Sequence, residues 1–464
     1  MAVRLPAGVA AGHPATVAAG IEILEDGGTA ADAAVAAALA SCVAETIMTG
    51  LLGGGHAIYW EAERRQARNL DCFVAVPGLG AERRDTQLVE LDVPFGAELV
   101  HYSVGPASAA VPGLPAGLGV LWQEHGRLPW PRLVEPASAI AREGVLMLPA
   151  QVACLEMLEP VMTMNEGARI YAPEGRLLAE GEALDQPGLV EALDIVSREG
   201  AGSVYRGTLA DRLLELVDDR GGLLTREDLE TYEARWTAPV ELGYAGTRFQ
   251  TRSDLSAVPE TLERLPALRG LDEAARIRAF VEVIAGAGVE SDTTNLVTVD
   301  REGSACVLTT SLGLGSGDFV PGLDLHLNSM LGERDLVRGD LVPGERMASM
   351  MAPSVAVVDG EAVLALGSAG GTRLRTALVG VAAGVLDEGL SPLEAVERPR
   401  FHPVDRTLHA EPGVDEAALR ALEGDGWTVR RWPERHHYFG GVSAIGERGA
   451  AGDPRRSGAA RCLQ

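Results

Sequence analysis

Apolar side chains in the first part of the chain recur with the period of a helix. Between residues 14 and 26 they fall three or four positions apart, and a glycine pair ends the segment. Thr29 begins a second segment and is followed three residues later by Asp32, which is the spacing of a capping box. Because this second segment is almost entirely Ala and Val, we expect a helix that is buried on most of its sides.

Farther along the chain the apolar period falls to two, which indicates strands. Residues 294–299 alternate, a turn follows at residues 301–304, and residues 305–310 run back. Two threonines, Thr293 and Thr294, stand where the first of these strands begins. Helical patterns early, strands later and glycine-rich turns between them favour a layered α/β protein over a repeated βαβ unit.

The stretch between residues 251 and 292 differs in composition from the segments around it. It is rich in charged residues and alanine, and it contains a helical pattern at Glu273–Ala285. We expect this stretch to be the most linker-like part of the chain.

The net charge of −26 argues against several classes of partner. With 66 Asp and Glu against 40 Lys and Arg, the 464-residue chain lacks the basic excess that nucleic acids and anionic membranes attract. The longest apolar run, Ala30–Ala44, is too short to span a bilayer. The amino terminus has no signal-peptide pattern, so we expect a soluble cytoplasmic protein.

The cysteines and histidines do not have the spacing of a metal site. The five cysteines are irregularly placed and include no Cys-x-x-Cys pair, and none of the nine histidines has a helical i, i+4 partner. We therefore expect free thiols, no metal and no cofactor.

A threonine at the beginning of a strand usually has only a structural role. The sequence around Thr293 makes it a candidate nucleophile. A hydroxyl nucleophile needs a base, and a threonine at a chain terminus carries one in its own α-amino group. The pKa of that group, about 7.7–8.0, leaves part of it neutral near pH 7. Gly367–Arg373 lies between an apolar strand and a helix, and its spacing fits either a tight turn or an oxyanion hole.

Short motifs follow one another along the chain in an order typical of one protein family. They are Gly27–Leu39, Gly50–Ala57, Val111–Gly117, Gly222–Leu229, Thr293–Thr294, Gly315–Gly317, Met351–Pro353, Gly367–Gly371, Arg400–His402 and Asp453–Arg456. In this order, over most of its length, the chain resembles the gamma-glutamyltranspeptidase family. No single motif is decisive, whereas the ordered set is specific.

The resemblance implies a four-layer αββα sandwich of the N-terminal-nucleophile hydrolase type. It also implies a precursor that cuts itself between Asp292 and Thr293. The products would be a large subunit, residues 1–292, and a small catalytic subunit, residues 293–464, which together form one intertwined domain. Whether two such processed pairs assemble as a dimer stays open.

The resemblance also assigns chemical roles. Thr293 would be the nucleophile, Ser311 would hydrogen-bond it, and Gly370 with Gly371 would form the oxyanion hole. The substrate would be a small molecule, and no cofactor is implied.

The positions that hold glutamate in the family are largely changed. Phe73 stands where the family has the arginine that grips the substrate's α-carboxylate, and Gly332 stands where it has the aspartate for the α-amino group. Ser349 matches the first of two substrate-binding serines, but Met350 replaces the second. Because a bidentate arginine–carboxylate contact is strong and specific, its loss disfavours glutathione-like substrates.

The candidate substrate-binding positions therefore combine retained and altered residues. Asn295 occupies the place of a histidine that usually follows the nucleophile by two positions. The candidates are Phe73, Asn295, Gly313, Ser349, Met350 and Arg373.

Three functions remain open from the sequence. The first is a self-processing N-terminal-threonine hydrolase or acyltransferase with a non-standard substrate, whose reaction is amide or C–C bond hydrolysis, as in pathways that make 4-alkylproline units. The second is a true γ-glutamyl hydrolase or transpeptidase that holds glutathione-like substrates with other residues. The third is an unprocessed, non-catalytic binding protein.

Overall fold

The structure, a computed structural model, describes residues 4–81, 86, 88–95, 98–284, 293–371 and 373–464. The strands within these residues are β1 Gly8–Ala11, β2 Gly54–Glu61, β3 Gln66–Cys72, β4 Val89–Phe95, β5 Glu98–Val104, β6 Val145–Leu146, β7 Ala183–Leu184, β8 Arg235–Thr237, β9 Val240–Tyr244, β10 Thr247–Thr251, β11 Thr294–Val299, β12 Ala305–Ser311, β13 Phe319–Val320, β14 Leu325–His326, β15 Ser354–Val358, β16 Glu361–Ala369, β17 Phe401–Val404, β18 Thr407–Ala410, β19 Thr428–Arg431, β20 Gly441–Gly446, β21 Gly449–Ala451 and β22 Ala459–Cys462.

Helices occur throughout the same residues. They are α1 Pro14–Glu25, α2 Ala30–Ala44, α3 Leu114–His125, α4 Trp130–Glu143, α5 Pro149–Met157, α6 Glu159–Met162, α7 Gly167–Tyr171, α8 Pro187–Glu199, α9 Ser203–Arg206, α10 Thr208–Arg220, α11 Arg226–Thr231, α12 Val258–Arg264, α13 Glu273–Ile284, α14 Arg373–Leu386, α15 Pro392–Glu397 and α16 Glu416–Gly424.

Two large sheets stack face to face at the centre of the protein. The first has the order β22-β1-β11-β12-β2-β3-β8, and the second has the order β21-β20-β16-β15-β10-β9. Their inner faces meet through apolar side chains of both sheets, among them Ile58, Trp60, Val297, Val307, Val355, Ala365 and Ile445. Helices α1 to α4 share a core with the outer face of the first sheet, and α12 to α16 share one with the second. The predicted four-layer αββα sandwich is confirmed.

Both parts of the chain contribute to each sheet. The first sheet mixes strands from before and after residue 293: β1 pairs with β11, and β12 pairs with β2. In the second sheet β10 pairs with β15. Ladders of backbone hydrogen bonds therefore join residues on the two sides of Thr293.

Helix α2 forms as its sequence predicts. Thr29 accepts a hydrogen bond from the Asp32 N–H, and the Asp32 carboxylate accepts one from the Thr29 N–H at 3.0 Å. All side chains of this helix are buried, which agrees with its Ala and Val content. The helix lies beside α1 and packs on β11 and β12 of the first sheet, and its carboxyl end points to the beginning of β11.

The prediction of a linker at residues 251–292 is wrong for the part that the structure describes. Thr251 ends β10, and α12 and α13 follow within the outer helical layer. Ile277 and Phe280 of α13 are buried, because this helix packs against the second sheet's core. The charged residues of this helix include Arg276, which is itself buried beside Phe280, so a high charge content did not indicate a linker here.

The hairpin of β13 and β14 carries a buried histidine, and this leads to a first prediction. The His326 ring stacks on Phe319 at 4.1 Å, and its Nε2 accepts a hydrogen bond from Gly317 at 2.9 Å. Burial lowers the pKa of His326 to about 3. The unfolded chain then takes up a proton below pH of about 6.5 while the folded chain does not, so stability falls by about 1.4 kcal/mol per pH unit as pH decreases.

The measurement is denaturant unfolding at pH 7 and pH 5. We expect the His326→Gln variant, although less stable at pH 7, to lose about 2 kcal/mol less than the wild type between these two pH values. Equal losses in both proteins would contradict the assignment of a neutral, buried imidazole at this position.

Candidate active site

Thr293 lies at the junction of the two sheets. It precedes β11, is 1% exposed, and its Oγ1 accepts a hydrogen bond from the backbone N–H of Gly370 at 2.9 Å. Gly370 follows β16 of the second sheet, and the Gly370–Gly371 turn leads into α14. The structure therefore brings the predicted nucleophile and the predicted oxyanion turn together from positions 77 residues apart.

The Gly370–Gly371 turn has backbone dihedral angles that only glycine adopts readily. Gly370 has φ +117° and Gly371 has φ +57°, both in the left-handed region. The carbonyl groups of Gly370 and Gly371 accept from the N–H groups of Arg373 and Leu374, which begin α14. The N–H of Gly370 is directed toward the Thr293 Oγ1.

Ser311 lies beside Thr293 on the neighbouring strand. The antiparallel register pairs Thr294 with Thr310, and its continuation sets Thr293 opposite Ser311. The Ser311 Oγ accepts a hydrogen bond from the Gly313 N–H at 2.8 Å. Gly313 has φ +69°, and a Cβ there would collide with the Glu333 carboxylate and the Ser329 hydroxyl.

Phe73 and Met350 belong to one apolar cluster, although they are far apart in sequence. The cluster also contains Met330, Met347 and Met351, and its members are buried against one another. Phe73 additionally stacks on the His56 ring at 5.5 Å. The two positions that the resemblance assigns to glutamate binding, Phe73 and Met350, are thus both occupied by buried apolar side chains.

The backbone and the hydroxyl of Ser349 all form hydrogen bonds with neighbouring groups. Its N–H donates to the Asp254 carboxylate at 2.8 Å, and its carbonyl accepts from the Arg252 guanidinium at 3.1 Å. Its hydroxyl accepts from the Met351 N–H at 3.2 Å. These bonds fix the position of Ser349 next to the apolar cluster.

Asn295 and Arg373 have structural contacts. The Asn295 amide donates to the Gly441 carbonyl at 3.3 Å and accepts from the Ser443 N–H at 3.1 Å, so it ties β11 to β20 of the other sheet. The Arg373 guanidinium lies 4.2 Å from the centre of the Tyr438 ring. Asp292, on the other side of the predicted cleavage position, lies outside the described residues.

A cavity next to Thr293 contains groups that the sequence analysis did not select. Among its lining residues are Thr293, Thr294, Glu45, Gln151 and Arg456. Burial raises the pKa of the Glu45 carboxyl, whereas hydrogen bonds from Thr294 and Thr16 and the charge of Arg456 oppose this. The available signal was an acidic residue directly after the long Ala-rich helix.

The Asp453 side chain, which also lines this cavity, is paired with arginine side chains. Although burial favours its neutral form, the charges of Arg400 and Arg455 hold the pKa of Asp453 below its ordinary value. The Asp453 carboxylate also accepts from the Val442 N–H at 2.9 Å. The Asp453 carboxylate therefore bonds to the beginning of β20.

The part of the chain that the structure describes contains no cluster of three His, Cys, Asp or Glu side chains arranged to hold a metal ion. Nor do its helices include one with the length and apolar character needed to cross a membrane.

Comparison with known proteins places this geometry in a known class. The structure of cephalosporin acylase from Bacillus halodurans superposes with a TM-score of 0.83 at 22% identity, over 100% of this chain and 97% of the acylase. The fold is therefore that of the N-terminal-nucleophile hydrolases.

Sequence comparison identifies the family. The gamma-glutamyltranspeptidase family model matches residues 16–285 and 279–463, so the chain belongs to the gamma-glutamyltranspeptidase family. The acylase ACY 1 proenzyme of Pseudomonas sp. (strain SE83) is 27% identical over 94% of this chain and 89% of its own length. The glutathione hydrolase proenzyme of Escherichia coli (strain K12) is 26% identical over 92% of this chain and 86% of its own length.

Proposed function

We propose that the protein is a self-processing hydrolase in which Thr293 is the nucleophile. The observation that carries this proposal is the 2.9 Å hydrogen bond from the Gly370 N–H to the Thr293 Oγ1 at the beginning of a central strand. Two relatives are named as proenzymes, which supports a processed chain. The large subunit would be residues 1–292 and the small subunit residues 293–464.

The proposed processing reaction is an N→O acyl shift followed by hydrolysis. The Thr293 Oγ attacks the Asp292 carbonyl carbon, the C–N bond breaks, and the nitrogen takes up a proton. Water then cleaves the resulting ester, which leaves a carboxylate on Asp292 and a free α-amino group on Thr293. The strand ladders that cross residue 293 would keep both fragments in one fold.

The processed site would then act on an acyl donor. The α-amino group takes the proton from Thr293 Oγ as the oxygen attacks the acyl carbon, and the N–H groups of Gly370 and Gly371 stabilise the oxyanion. The proton passes to the leaving amine, and water releases the acyl group from Thr293. Each backbone donor in such a site contributes about 3 kcal/mol to the lowering of the barrier.

The proposed substrate carries an apolar acyl group rather than a γ-glutamyl group. Phe73 and Met350 lie in a methionine-rich cluster, and methionine adapts to irregular apolar shapes. Amide hydrolysis is the leading reaction, because one relative is named as an acylase. C–C bond hydrolysis, as in the formation of 4-alkylproline units, would use the same nucleophile and pocket.

Self-cleavage is the test of the nucleophile. The purified wild-type chain should separate on a denaturing gel into two fragments, and amino-terminal sequencing of the shorter one should begin Thr293-Thr294-Asn295. A wild-type chain that stays whole and hydrolyses none of the anilides described next would support the non-catalytic alternative and overturn the proposal.

Substrate preference provides a second prediction. We expect a phenylacetyl or hexanoyl anilide to be hydrolysed with a kcat/KM at least about tenfold above that of a γ-glutamyl anilide, because Phe73 is apolar where the family resemblance implies an arginine for the substrate's α-carboxylate. A Phe73→Leu variant, which keeps the site apolar, should retain this order. Preference for the γ-glutamyl anilide would instead support a glutathione-type hydrolase, the activity for which a relative in Escherichia coli is named.

A further inference from the structure

A buried carboxylate stands at the carboxyl end of α2, directly behind the candidate nucleophile's strand. Glu45 caps α2 and is 5% exposed. Its Oε1 accepts a hydrogen bond from the Thr16 hydroxyl at 2.7 Å, and its Oε2 accepts one from the Thr294 hydroxyl. Each carboxylate oxygen therefore accepts a hydrogen bond from a threonine hydroxyl, one from α1 and one from β11.

Gly12 allows this arrangement. A Cβ at Gly12 would lie 2.6 Å from Glu45 Oε2 and 2.9 Å from Thr294 Oγ1. The chain after β1 thus passes too close to the Glu45–Thr294 hydrogen bond for any side chain. The backbone therefore encloses this bond on one side.

A buried carboxylate at this position lowers the stability of the fold, so stability does not explain its presence. Burial of an acidic group destabilises its charged form, and an apolar residue of similar size would fill the same space without that penalty. Arg456, which also lines the cavity, supplies a favourable charge for Glu45. One of the two hydroxyls that donate to this carboxylate belongs to Thr294, the residue that follows Thr293.

The two threonines at the beginning of β11 face opposite sides of the sheet. Successive side chains of a strand alternate, so Thr294 points to the α2 side while Thr293 points to the second sheet and Gly370. A hydrogen bond that holds Thr294 also fixes the rotation of this strand end. The direction of the Thr293 Oγ1 toward the Gly370 N–H depends on that rotation.

We propose that Glu45 is a positioning residue for the reaction of Thr293 and that it acts through the Thr294 hydroxyl. This inference rests on the proposed function of Thr293. In the competing explanation, Glu45 only ties α1 and α2 to the first sheet. The two explanations differ because Thr16 and Thr294 each supply one hydrogen bond to the same carboxylate, but only Thr294 adjoins Thr293.

The experiment compares Thr294→Val with the matched control Thr16→Val. We expect Thr294→Val to lower kcat at least about tenfold with KM within about twofold of the wild type, whereas Thr16→Val keeps kcat within about twofold. Thr294→Ser retains the hydroxyl and should restore kcat to within about threefold of the wild type. Rates are expressed per processed chain from a denaturing gel, with an apolar acyl anilide as substrate.

Glu45 itself is tested by a double-mutant cycle. Glu45→Ala and Thr294→Val together should lower kcat no more than the worse single variant, because each removes the same contact. Glu45→Gln, which preserves the volume of the side chain, replaces Glu45→Ala in the cycle if the alanine variant does not fold.

The possible results separate the two proposals. A wild type that self-cleaves and turns over, combined with equal kcat losses in Thr16→Val and Thr294→Val or with additive losses in the cycle, overturns only the role of Glu45. A wild type that neither cleaves nor turns over overturns the function of Thr293 and the role of Glu45 with it.

Discussion

Replacing Thr293 by alanine is expected to leave the chain uncut and to lower hydrolysis at least about a thousandfold. The side-chain oxygen is the group that forms the ester with Asp292 during processing and with the acyl donor during turnover. Its hydrogen bond with the Gly370 N–H disappears with it. The measurement is a denaturing gel for processing and an anilide assay for turnover.

Two further variants control for effects on folding. Thr293→Ser keeps a hydroxyl, and we expect it to cleave itself and to retain part of the activity. Thr309 is buried on the adjacent strand, and its hydroxyl makes no hydrogen bond within the described residues. Thr309→Val should therefore process and react like the wild type. If Thr293→Ala still yields the two fragments, the nucleophile must be another residue.

Gly370→Ala is expected to lower kcat at least about a hundredfold. At φ +117° an L-residue is strained, and its Cβ would lie 2.7 Å from the Gly440 Cα and 3.2 Å from Arg456 Nη2. The turn would have to shift, which moves its N–H away from Thr293. Loss of one oxyanion donor typically costs about 3 kcal/mol of transition-state stabilisation.

The matched control is a glycine in α14, the helix that follows the turn. Gly380 lies within α14, and a Cβ there would meet no atom within 4 Å. Gly380→Ala should leave kcat unchanged and stabilise the protein by about 0.5–1 kcal/mol, because alanine restricts the unfolded chain. A Gly370→Ala protein that folds and keeps wild-type kcat would refute the oxyanion assignment.

The local parts of the structure were predictable from sequence. The capping box of Thr29 and Asp32, the Ala-rich helix α2 and the strand pair β11–β12 depend on neighbours a few residues apart. The motif order also led to the αββα class. The packing of α13 was not predictable from composition, because its charged residues are interspersed with core residues and one of them, Arg276, is buried.

Some features of the candidate site are recognisable in the sequence, and others are visible only in the folded chain. Thr293 and the Gly370–Gly371 turn are recognisable as motifs, and Phe73 and Met350 are recognisable as changes in a motif. That Phe73 and Met350 share one apolar cluster is a property of the folded chain. Glu45 was missed because its partners, Thr16 and Thr294, lie 29 and 249 residues away.

By itself, the sequence determined the family and the helices and strands that carry its motifs, since capping and periodicity are local properties and the motifs are read in order along the chain. The tertiary structure decided which of these elements meet. The strand order of the two sheets sets Thr293 against Gly370, and the close approach of backbone at Gly12 sets Glu45 against Thr294. Such contacts arise from long-range packing and strand register, which no short stretch of sequence encodes.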